Sequence, residues 1–302
     1  MQLSYLNLKS VLKYLEPNLR IQLSMRCPSI QFCEKTSPLH IQELCWTKTS
    51  LKINETYYKT TKAIWKAKES SQEYVLLGLE IGGSTERAVF NTTFGEVMNY
   101  ILKQMLGGRQ VIATHTCIGM DTDAFQNGRN LVTDTLEIYT GDLRKTLDTL
   151  SSIFHPSSFP LKSLRILDNA DFKHPIIQGS LLLVVPNTEN MHLISNKRVH
   201  ARYFYYKDDV DFIINKWLDD GKEAGTHFSI GMFLTEDHVK EKYEEFLSTF
   251  EERVSWRTNY PPCFAINIDN FSEIVIGYEE FQQISTPEWR LNFKVQKREE
   301  FV

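Results

Sequence analysis

Residues 198–232, RVHARYFYYKDDVDFIINKWLDDGKEAGTHFSIGM, contain two short apolar runs on either side of a helical pattern. The runs RVHARYF and THFSIGM are rich in β-branched and aromatic residues, which is typical of strands. Between them, a pattern that begins at Asp208 repeats at the spacing of one helical face and stops at Gly221. Its apolar members are Val210, Ile213, Ile214, Trp217 and Leu218. Strand, helix and strand in this order predict a parallel βαβ unit.

The same alternation begins earlier, near residue 130. Further strands are predicted at TLEIY, SLRIL and SLLLVV. The first buried position of each of the five strands is, in chain order, Leu136, Leu164, Leu181, Val199 and Phe228, at intervals of 28, 17, 18 and 29 residues. The long intervals hold predicted helices that begin near Asp142 and Asp208, and Thr235 caps a further helix.

These intervals predict the fold class. Intervals of 28 and 29 residues are within the range of leucine-rich-repeat-like solenoids, whereas 17 and 18 residues are short for them. The short intervals are tight loops, or hairpins that would make the sheet mixed. We predict an α/β fold with a curved, mostly parallel, leucine-rich-repeat-like sheet that carries its helices on one face.

Residues 39–110 show a different, strand-rich pattern. SLKINETYY and EYVLLGLEI are predicted to be strands, and Thr93-Phe-Gly-Glu96 has the spacing of a capping box that opens a helix. Gly107-Gly108 is predicted to end that helix. The predicted domains are therefore a helical module at 3–38 and an α/β domain at 39–302, with a β-rich part at 39–110 and a repeat-like part at 130–302.

The N-terminal segment predicts a helical hairpin. Leu8, Val11, Leu12 and Leu15 share one helical face, and Glu16-Pro17 breaks that helix and begins the next. The second helix is apolar on more than one side, so it needs more than one packing surface. Cys27-Pro28 is predicted to end it, because the residue before proline avoids the helical region. An ordinary core hairpin would give the same pattern.

Composition excludes some classes of function. The formal charge of −4 argues against a generic nucleic-acid binder, and no apolar run is long enough to span a membrane. We find no signal-peptide pattern, and the five irregularly spaced cysteines favour reduced thiols. These observations predict a cytoplasmic or nuclear protein that interacts with neither nucleic acid nor membrane.

We find no strong catalytic motif, metal site or cofactor site in the sequence. Gly78-Leu-Glu-Ile-Gly82-Gly83 lacks the lysine and the spaced glycines of nucleotide-binding loops, and Cys27, Cys33 and Cys45 match no common zinc spacing. His115 and Cys117 would share a strand face, but no third group completes a catalytic set. Asp121 and Asp123 could bind Mg²⁺, so a metal-dependent enzyme stays as a minor alternative.

Several stretches resemble the nematode F-box C family. YLEPNLRIQLSMRCPSIQFCEKTSPLHIQEL and LKINETYY resemble the beginning of that family. SSFPLKSL, FKHPII, NKRVHARYF and INKWLDDGKEAGTHFSIG then follow in the family's order, so that the resemblance covers most of residues 3–250. The N-terminal module departs from the F-box pattern at two places. Leu6-Asn7 stands where a Leu-Pro pair is usual, and Cys27-Pro28 stands where the chain usually continues into a longer third helix.

The resemblance implies a function. An F-box is a small helical module that docks on a Skp-type adaptor and links a substrate receptor to a cullin–RING ubiquitin ligase, whose chemistry is carried out by other subunits. The protein would then be a non-catalytic receptor for a protein substrate, and a ubiquitin-independent binding scaffold is the alternative. By family pattern, eight residues would form or support the adaptor-binding surface: Leu8, Val11, Leu12, Leu15, Pro17, Arg20, Ile21 and Leu23.

A substrate surface is predicted from strand alternation. Residues that alternate with the buried positions of a strand point to its other face. Tyrosine and arginine often anchor protein interfaces. We therefore expect substrate contacts at Glu137, Tyr139, Arg165, His200, Arg202 and Ser229.

Overall fold

The computed structural model describes residues 5–67, 70–81, 84–90, 92–119, 130–167, 172–188, 191–203, 207–232, 235–282 and 287–298. The chain divides into two compact units, Met1–Leu161 and Lys162–Val302. Within the described ranges, no helix is long and apolar enough to cross a membrane.

The first unit combines five helices with seven strands in its described part. The helices are α1 (Tyr5–Tyr14), α2 (Pro17–Arg26), α3 (Pro28–Lys35), α4 (Phe94–Met105) and α5 (Leu143–Ile153). The strands are β1 (Leu39–Thr47), β2 (Ser50–Ile53), β3 (Thr56–Ala67), β4 (Ser70–Ile81), β5 (Ser84–Phe90), β6 (Val111–Gly119) and β7 (Leu131–Ile138).

The strands of the first unit lie in the order β7-β6-β1-β2-β3-β4-β5. β7, β6 and β1 are parallel, with Leu39, Val111 and Leu131 in register, and β1 to β5 form an antiparallel meander. Both faces of the central strands contribute to the core, because Leu44 and Trp46 are buried on one face of β1 while Leu39 and Ile41 are buried on the other.

Local signals explain most boundaries in this unit. Thr93 and Glu96 form the predicted capping box at the start of α4. Asn54 has a φ of 52°, a conformation that asparagine tolerates, and so turns SLKINETYY into the β2–β3 hairpin instead of one strand. Pro28 begins α3, because proline fits the first turn of a helix. The predicted number of N-terminal helices is therefore wrong: three helices, and not two, precede the sheet.

The second unit has three helices and eight strands in its described part. The helices are α6 (Pro175–Gly179), α7 (Lys207–Asp220) and α8 (Glu236–Thr249). The strands are β8 (Ser163–Ile166), β9 (Leu183–Val185), β10 (Arg198–Ala201), β11 (His227–Met232), β12 (Val254–Asn259), β13 (Pro262–Asn267), β14 (Ser272–Gln282) and β15 (Pro287–Lys297). Met191–Leu193 form a 3-10 turn.

The strands of the second unit lie in the order β8-β9-β10-β11-β15-β14-β13-β12. β8 to β11 are parallel to one another, as predicted. β11 pairs antiparallel with β15, and β12, β13, β14 and β15 form an antiparallel meander. The α/β class is thus confirmed, but the sheet is mixed instead of mostly parallel. Leu181 is exposed and Leu183 holds the buried position of β9, so the predicted core residue there is wrong by two positions.

Aromatic side chains form the core of the second unit around β11 and β15. The rings of Phe228 and Phe293, on paired strands, stack with centroids 5.4 Å apart. Phe246 of α8 contacts Phe293 edge-on at 5.9 Å, and Trp217 of α7 contacts Phe228 at 6.3 Å. These contacts attach α7 and α8 to the sheet.

Candidate functional site

The three N-terminal helices have one covered face. Leu12 of α1 and Ile21 of α2 are fully buried, and so is Pro17 at the start of α2. The carboxylate of Glu16 caps α2 by accepting a hydrogen bond from the Leu19 N–H at 2.9 Å. The helices are therefore packed into the first unit and are not a loosely attached arm.

Asn18 attaches α2 to the β2–β3 hairpin. Its Nδ2 donates to the Ile53 carbonyl at 3.0 Å, and its Oδ1 accepts a hydrogen bond from the Tyr58 hydroxyl at 2.9 Å. Burial raises the pKa of Tyr58, which keeps that hydroxyl protonated as a donor. Both ends of the Asn18 side chain are thus used within the first unit.

A buried ion cluster joins α2, α3 and the segment after α4. Arg20 Nε donates to Glu34 Oε1 at 3.0 Å, and Arg109 Nη1 donates to the same oxygen at 3.0 Å. Arg20 also donates to the carbonyls of Glu34, Ser37 and Pro38. Burial lowers the pKa of Arg109, while the Glu34 carboxylate opposes that shift. Arg20 is therefore a structural residue that organises the turn between α3 and β1.

The same helices also carry exposed apolar side chains, and we call these residues the uncovered face. Tyr14 is 85% exposed and Phe32 is 73% exposed. Val11, Leu19 and Met25 are each about half exposed. Large apolar side chains on the surface are typical of interaction sites when they occur together on one element.

The predicted adaptor-binding residues divide between these two faces. Val11 is exposed, and Leu8, Leu15 and Leu23 are partly exposed. Four of the residues are buried against the first unit, so they could support a contact surface from behind but do not themselves form one: Leu12, Pro17, Arg20 and Ile21. Helical spacing identified apolar positions, but it could not tell which of them the rest of the chain covers.

The predicted substrate residues do not form one exposed set. Tyr139 is exposed, Arg165 is partly exposed, and the guanidinium of Arg202 lies 5.3 Å from the ring centroid of Tyr203. Glu137, His200 and Ser229 are buried, and His200 Nδ1 lies 2.9 Å from Ser229 Oγ. Their predicted exposure is wrong because both faces of these strands are covered: five consecutive residues of β11 are buried.

Polar side chains cluster on one face of β1, β6 and β7. His115 Nε2 lies 3.5 Å from Glu137 Oε2, and Cys45 and Cys117 are in register on paired strands. A hydrogen bond with Cys117 and burial raise the pKa of Cys45. A protonated thiol is a poor nucleophile, so the raised pKa disfavours Cys45 in that role.

Within the described ranges, no group of three His, Cys, Asp or Glu side chains has the geometry to hold a metal ion. Asp121 and Asp123, the predicted magnesium ligands, lie outside the described residues.

The second unit contains a cavity of about 180 Å³ against α7, which we call the α7 cavity. It lies among the Met191–Leu193 turn, β10, α7 and β11. Apolar side chains form much of its wall, including Ile194, Val199, Ile213, Trp217 and Phe228. Polar groups line the remainder, at Asn196, Lys216, Asp220, Lys222, Thr226 and His227.

Asn196 is a buried polar residue of the α7 cavity, at 4% exposure. Its Nδ2 donates to the Ile177 carbonyl at 2.7 Å and to the Ser180 carbonyl at 3.0 Å. These two acceptors fix the orientation of the amide, because its oxygen could not take their place. Its Oδ1 is buried and accepts no hydrogen bond from any described residue.

Two lysines, Lys216 and Lys222, also line the α7 cavity. Lys222 Nζ lies 5.9 Å from the ring centroid of Trp217, within cation–π range. Burial and the neighbouring Lys216 lower the pKa of Lys222, against a smaller opposite effect of Glu223. Burial lowers the pKa of His227, another lining residue, whose Nε2 lies 3.0 Å from Asn292 Oδ1.

Sequence reasoning did not identify the α7 cavity, although a signal for it was present. Ten of its fourteen lining residues fall within NKRVHARYF and INKWLDDGKEAGTHFSIG, two of the stretches on which the family resemblance rests. Two separate stretches that both carry a family resemblance can contribute to one site. The strand–helix–strand pattern instead predicted a site on the strand faces.

Comparison with known proteins gives one match. The model of a domain family of unknown function, DUF3557, matches residues 94–233, which is somewhat under half of the chain. No curated protein and no solved structure matches. The matched range contains the whole wall of the α7 cavity and excludes α1, α2 and α3.

Proposed function

We propose that the protein is a non-catalytic receptor that links a protein substrate to a cullin–RING ubiquitin ligase through a Skp-type adaptor. The exposed apolar side chains of α1, α2 and α3 carry this proposal, with Tyr14 and Phe32 the most exposed of them. The resemblance of this segment to the F-box C family supplies the identity of the partner.

The geometry of the N-terminal helices supports a docking role in two ways. Three helices precede the sheet and form a compact helical segment, although α3 is shorter than the third helix usual in the F-box pattern. Asn18 and Arg20 hold α2 and α3 in a defined position, so binding would not require the backbone of these two helices to become ordered. Val11 and Tyr14 are three positions apart on α1 and therefore neighbours on the helix surface.

The remaining chain would then bind the substrate. The parallel strands β8 to β11 support a curved, leucine-rich-repeat-like receptor in the second unit. Ubiquitin transfer would occur on other subunits, so the receptor itself would need no cofactor or metal. Such a receptor would act in the cytoplasm or the nucleus.

The decisive experiment is co-purification of the full chain with a Skp-type adaptor. Val11→Asp plus Tyr14→Asp places two charges on the uncovered face and should abolish binding while the circular dichroism spectrum is retained. Tyr260→Asp plus Phe271→Asp is the matched control, because both of these rings are also highly exposed but lie in the second unit. Failure of the wild-type chain to bind the adaptor, or equal loss in both double variants, would refute the proposal.

A ubiquitin-independent binding scaffold is the second candidate. The Arg20–Glu34–Arg109 cluster favours it, because that cluster gives α2 and α3 a role in folding that does not depend on any adaptor. Under this candidate the chain would hold its partner without linking it to a ligase. A wild-type chain that binds a substrate but no adaptor would support the scaffold.

A further inference from the structure

We propose that Cys45 and Cys117 form an oxidation site, at which hydrogen peroxide or a similarly small hydroperoxide converts the two thiols into one reversible disulfide bond within the folded chain. The disulfide would join β1 to β6 in the first unit. This site goes beyond the proposed function and does not depend on it, because neither cysteine belongs to the N-terminal helices.

The backbone places the two cysteines at the separation that a disulfide needs. Cys45 of β1 and Cys117 of β6 are 72 positions apart in sequence, yet they are direct partners in the parallel pairing of these strands. Neighbouring strands lie about 4.8 Å apart, and the two Cα atoms of a disulfide are usually about 4.4–6.8 Å apart. Directly paired residues also project from the same face of a sheet. The two sulfurs can therefore be joined without a change of register.

The register of β1 and β6 is fixed on both sides of the cysteine pair. Before the strands begin, Arg109 donates to Glu34 at 3.0 Å, which joins the segment before β6 to the segment before β1. After the cysteines, the pairing continues to Thr47 and Gly119. β6 is also an interior strand, paired with β1 on one side and with β7 on the other. The fold therefore holds the two thiols together before any oxidant arrives.

The interaction of the two thiols sets the order in which they react. The hydrogen bond with Cys117 is the largest cause of the raised pKa of Cys45, and burial is the next. Cys45 therefore keeps its proton, and Cys117 is the sulfur that reacts first, because the thiolate is the nucleophile. Once the Cys117 sulfur is oxidised, the thiol that contributes most to that raised pKa is no longer present. Cys45 can then act as the second nucleophile.

The surroundings of the pair are polar, unlike those of a cysteine that only fills an apolar core. Cys45 Sγ lies 3.5 Å from Glu43 Oε1, and Glu43 in turn pairs with Lys52. On the other side, Glu137 of β7 is the register partner of Cys117. Cys45 is partly exposed, whereas Cys117 is 7% exposed. This exposure favours a small oxidant over a bulky one, because the sulfur that reacts first is nearly covered.

The hydroperoxide balances the reaction. The Cys117 thiolate attacks one peroxide oxygen, the O–O bond breaks, and a sulfenic acid forms together with water or an alcohol. The Cys45 thiol then loses its proton and attacks the Cys117 sulfur, so that an S–S bond forms and the S–O bond breaks. The departing hydroxide takes that proton and becomes water. In all, the two thiols lose two electrons and two protons, and the hydroperoxide takes them up.

The test is peptide mapping of the full chain under non-reducing conditions. The reduced chain is treated with hydrogen peroxide, its remaining thiols are blocked with N-ethylmaleimide, and it is digested with trypsin. Cleavage after lysine and arginine puts the two cysteines in separate peptides, 36–48 and 110–129, each with a single cysteine. We expect these peptides to appear as one linked species that dithiothreitol separates. Recovery of the two peptides unlinked, with blocked or overoxidised thiols, would overturn the proposal.

Two serine variants separate this site from incidental oxidation. Cys45→Ser should lose the linked species. Cys27→Ser is the matched control and should keep it, because Cys27 is exposed and takes no part in the pairing of β1 with β6. Loss of the linked species in a folded Cys27→Ser chain, or a link that forms only between two chains on a non-reducing gel, would overturn the proposal. If Cys45→Ser does not fold, the peptide map of the wild-type chain decides.

The melting temperature shows whether the bond forms in the native arrangement of the strands. A disulfide that closes a long loop stabilises the folded chain chiefly by restricting the unfolded one. We expect the oxidised wild-type chain to melt about 5–10 °C above the reduced chain, with no such rise when Cys45→Ser is treated in the same way. An oxidised chain that melts at or below the temperature of the reduced chain would overturn the proposal, because the bond would then require a distorted fold.

Discussion

Arg109 donates a hydrogen bond to Glu34 at 3.0 Å across 75 positions of sequence, and both side chains are almost fully buried. The same carboxylate accepts from Arg20. Two cations that share one buried anion depend on it, because removing one partner of a buried pair leaves charge uncompensated.

We therefore expect Glu34→Gln to destabilise the first unit strongly, by about 3–5 kcal/mol in the free energy of unfolding. Urea denaturation followed by circular dichroism measures this quantity. Glu223→Gln is the control, since Glu223 pairs with Lys197 on the surface. An exposed pair of that kind is worth about 0–1 kcal/mol. Similar losses in the two variants would contradict a structural role for the cluster.

Leu12→Asp should unfold or severely destabilise the first unit, whereas Tyr14→Asp should leave its melting temperature nearly unchanged. Leu12 is 1% exposed and Tyr14 is 85% exposed, although they are two positions apart on one helix. A buried carboxylate without a partner is costly, and a surface carboxylate is not. Thermal melts of the two single variants decide the matter. Unfolding by Tyr14→Asp would mean that its face is covered.

Stability should fall as the pH is lowered from 7.5 to 5, in part through His227. Burial lowers the pKa of this imidazole below its usual 6.5. Below pH 6.5 the unfolded chain therefore binds the proton more readily than the folded chain, so the stabilisation present above 6.5 is lost as the pH falls through the lowered value. Urea denaturation at both pH values should show a smaller pH dependence in His227→Gln. An unchanged dependence would exclude His227 as a source.

Iodoacetamide at pH 8 should modify Cys27 much faster than Cys45. Cys27 is exposed, whereas the neighbouring Cys117 thiol and burial raise the pKa of Cys45 and keep it protonated. Alkylation requires the thiolate, so the raised pKa slows the reaction. Peptide mass spectrometry during a time course measures each rate. Labelling of Cys45 as fast as that of Cys27 would contradict the hydrogen bond with Cys117.

Features with local causes were predictable from the sequence. The capping box of Thr93 and Glu96 is present as predicted, because it depends on residues three positions apart, and α5 begins next to Asp142 as predicted. Gly221 follows α7 with a φ of 73°, the left-handed conformation that glycine adopts without strain. The order of strands and helices from residue 130 to 250 was also predictable, because each element has its own local pattern of apolar residues.

Features that need a distant partner were not predictable. Nothing near Phe228 in sequence indicates that its strand pairs with Phe293 on β15, so the antiparallel part of the sheet was missed. The sequence does not show that Arg20 is buried, because its partner Glu34 and the second cation Arg109 are distant from it in sequence. Asn196 shows its unpaired acceptor only after its amide nitrogen is held by Ile177 and Ser180.

The two hydrogen bonds that join Asn18 to the sheet bear on how the proposed receptor could change over evolutionary time. Because one amide joins α2 to both Ile53 and Tyr58, the helices before residue 38 and the sheet behind them complete each other. Recombination at that point would leave two polar groups of the sheet without their partner. New substrate preferences would then arise by substitution at exposed positions, and not by exchange of whole segments behind a constant docking module.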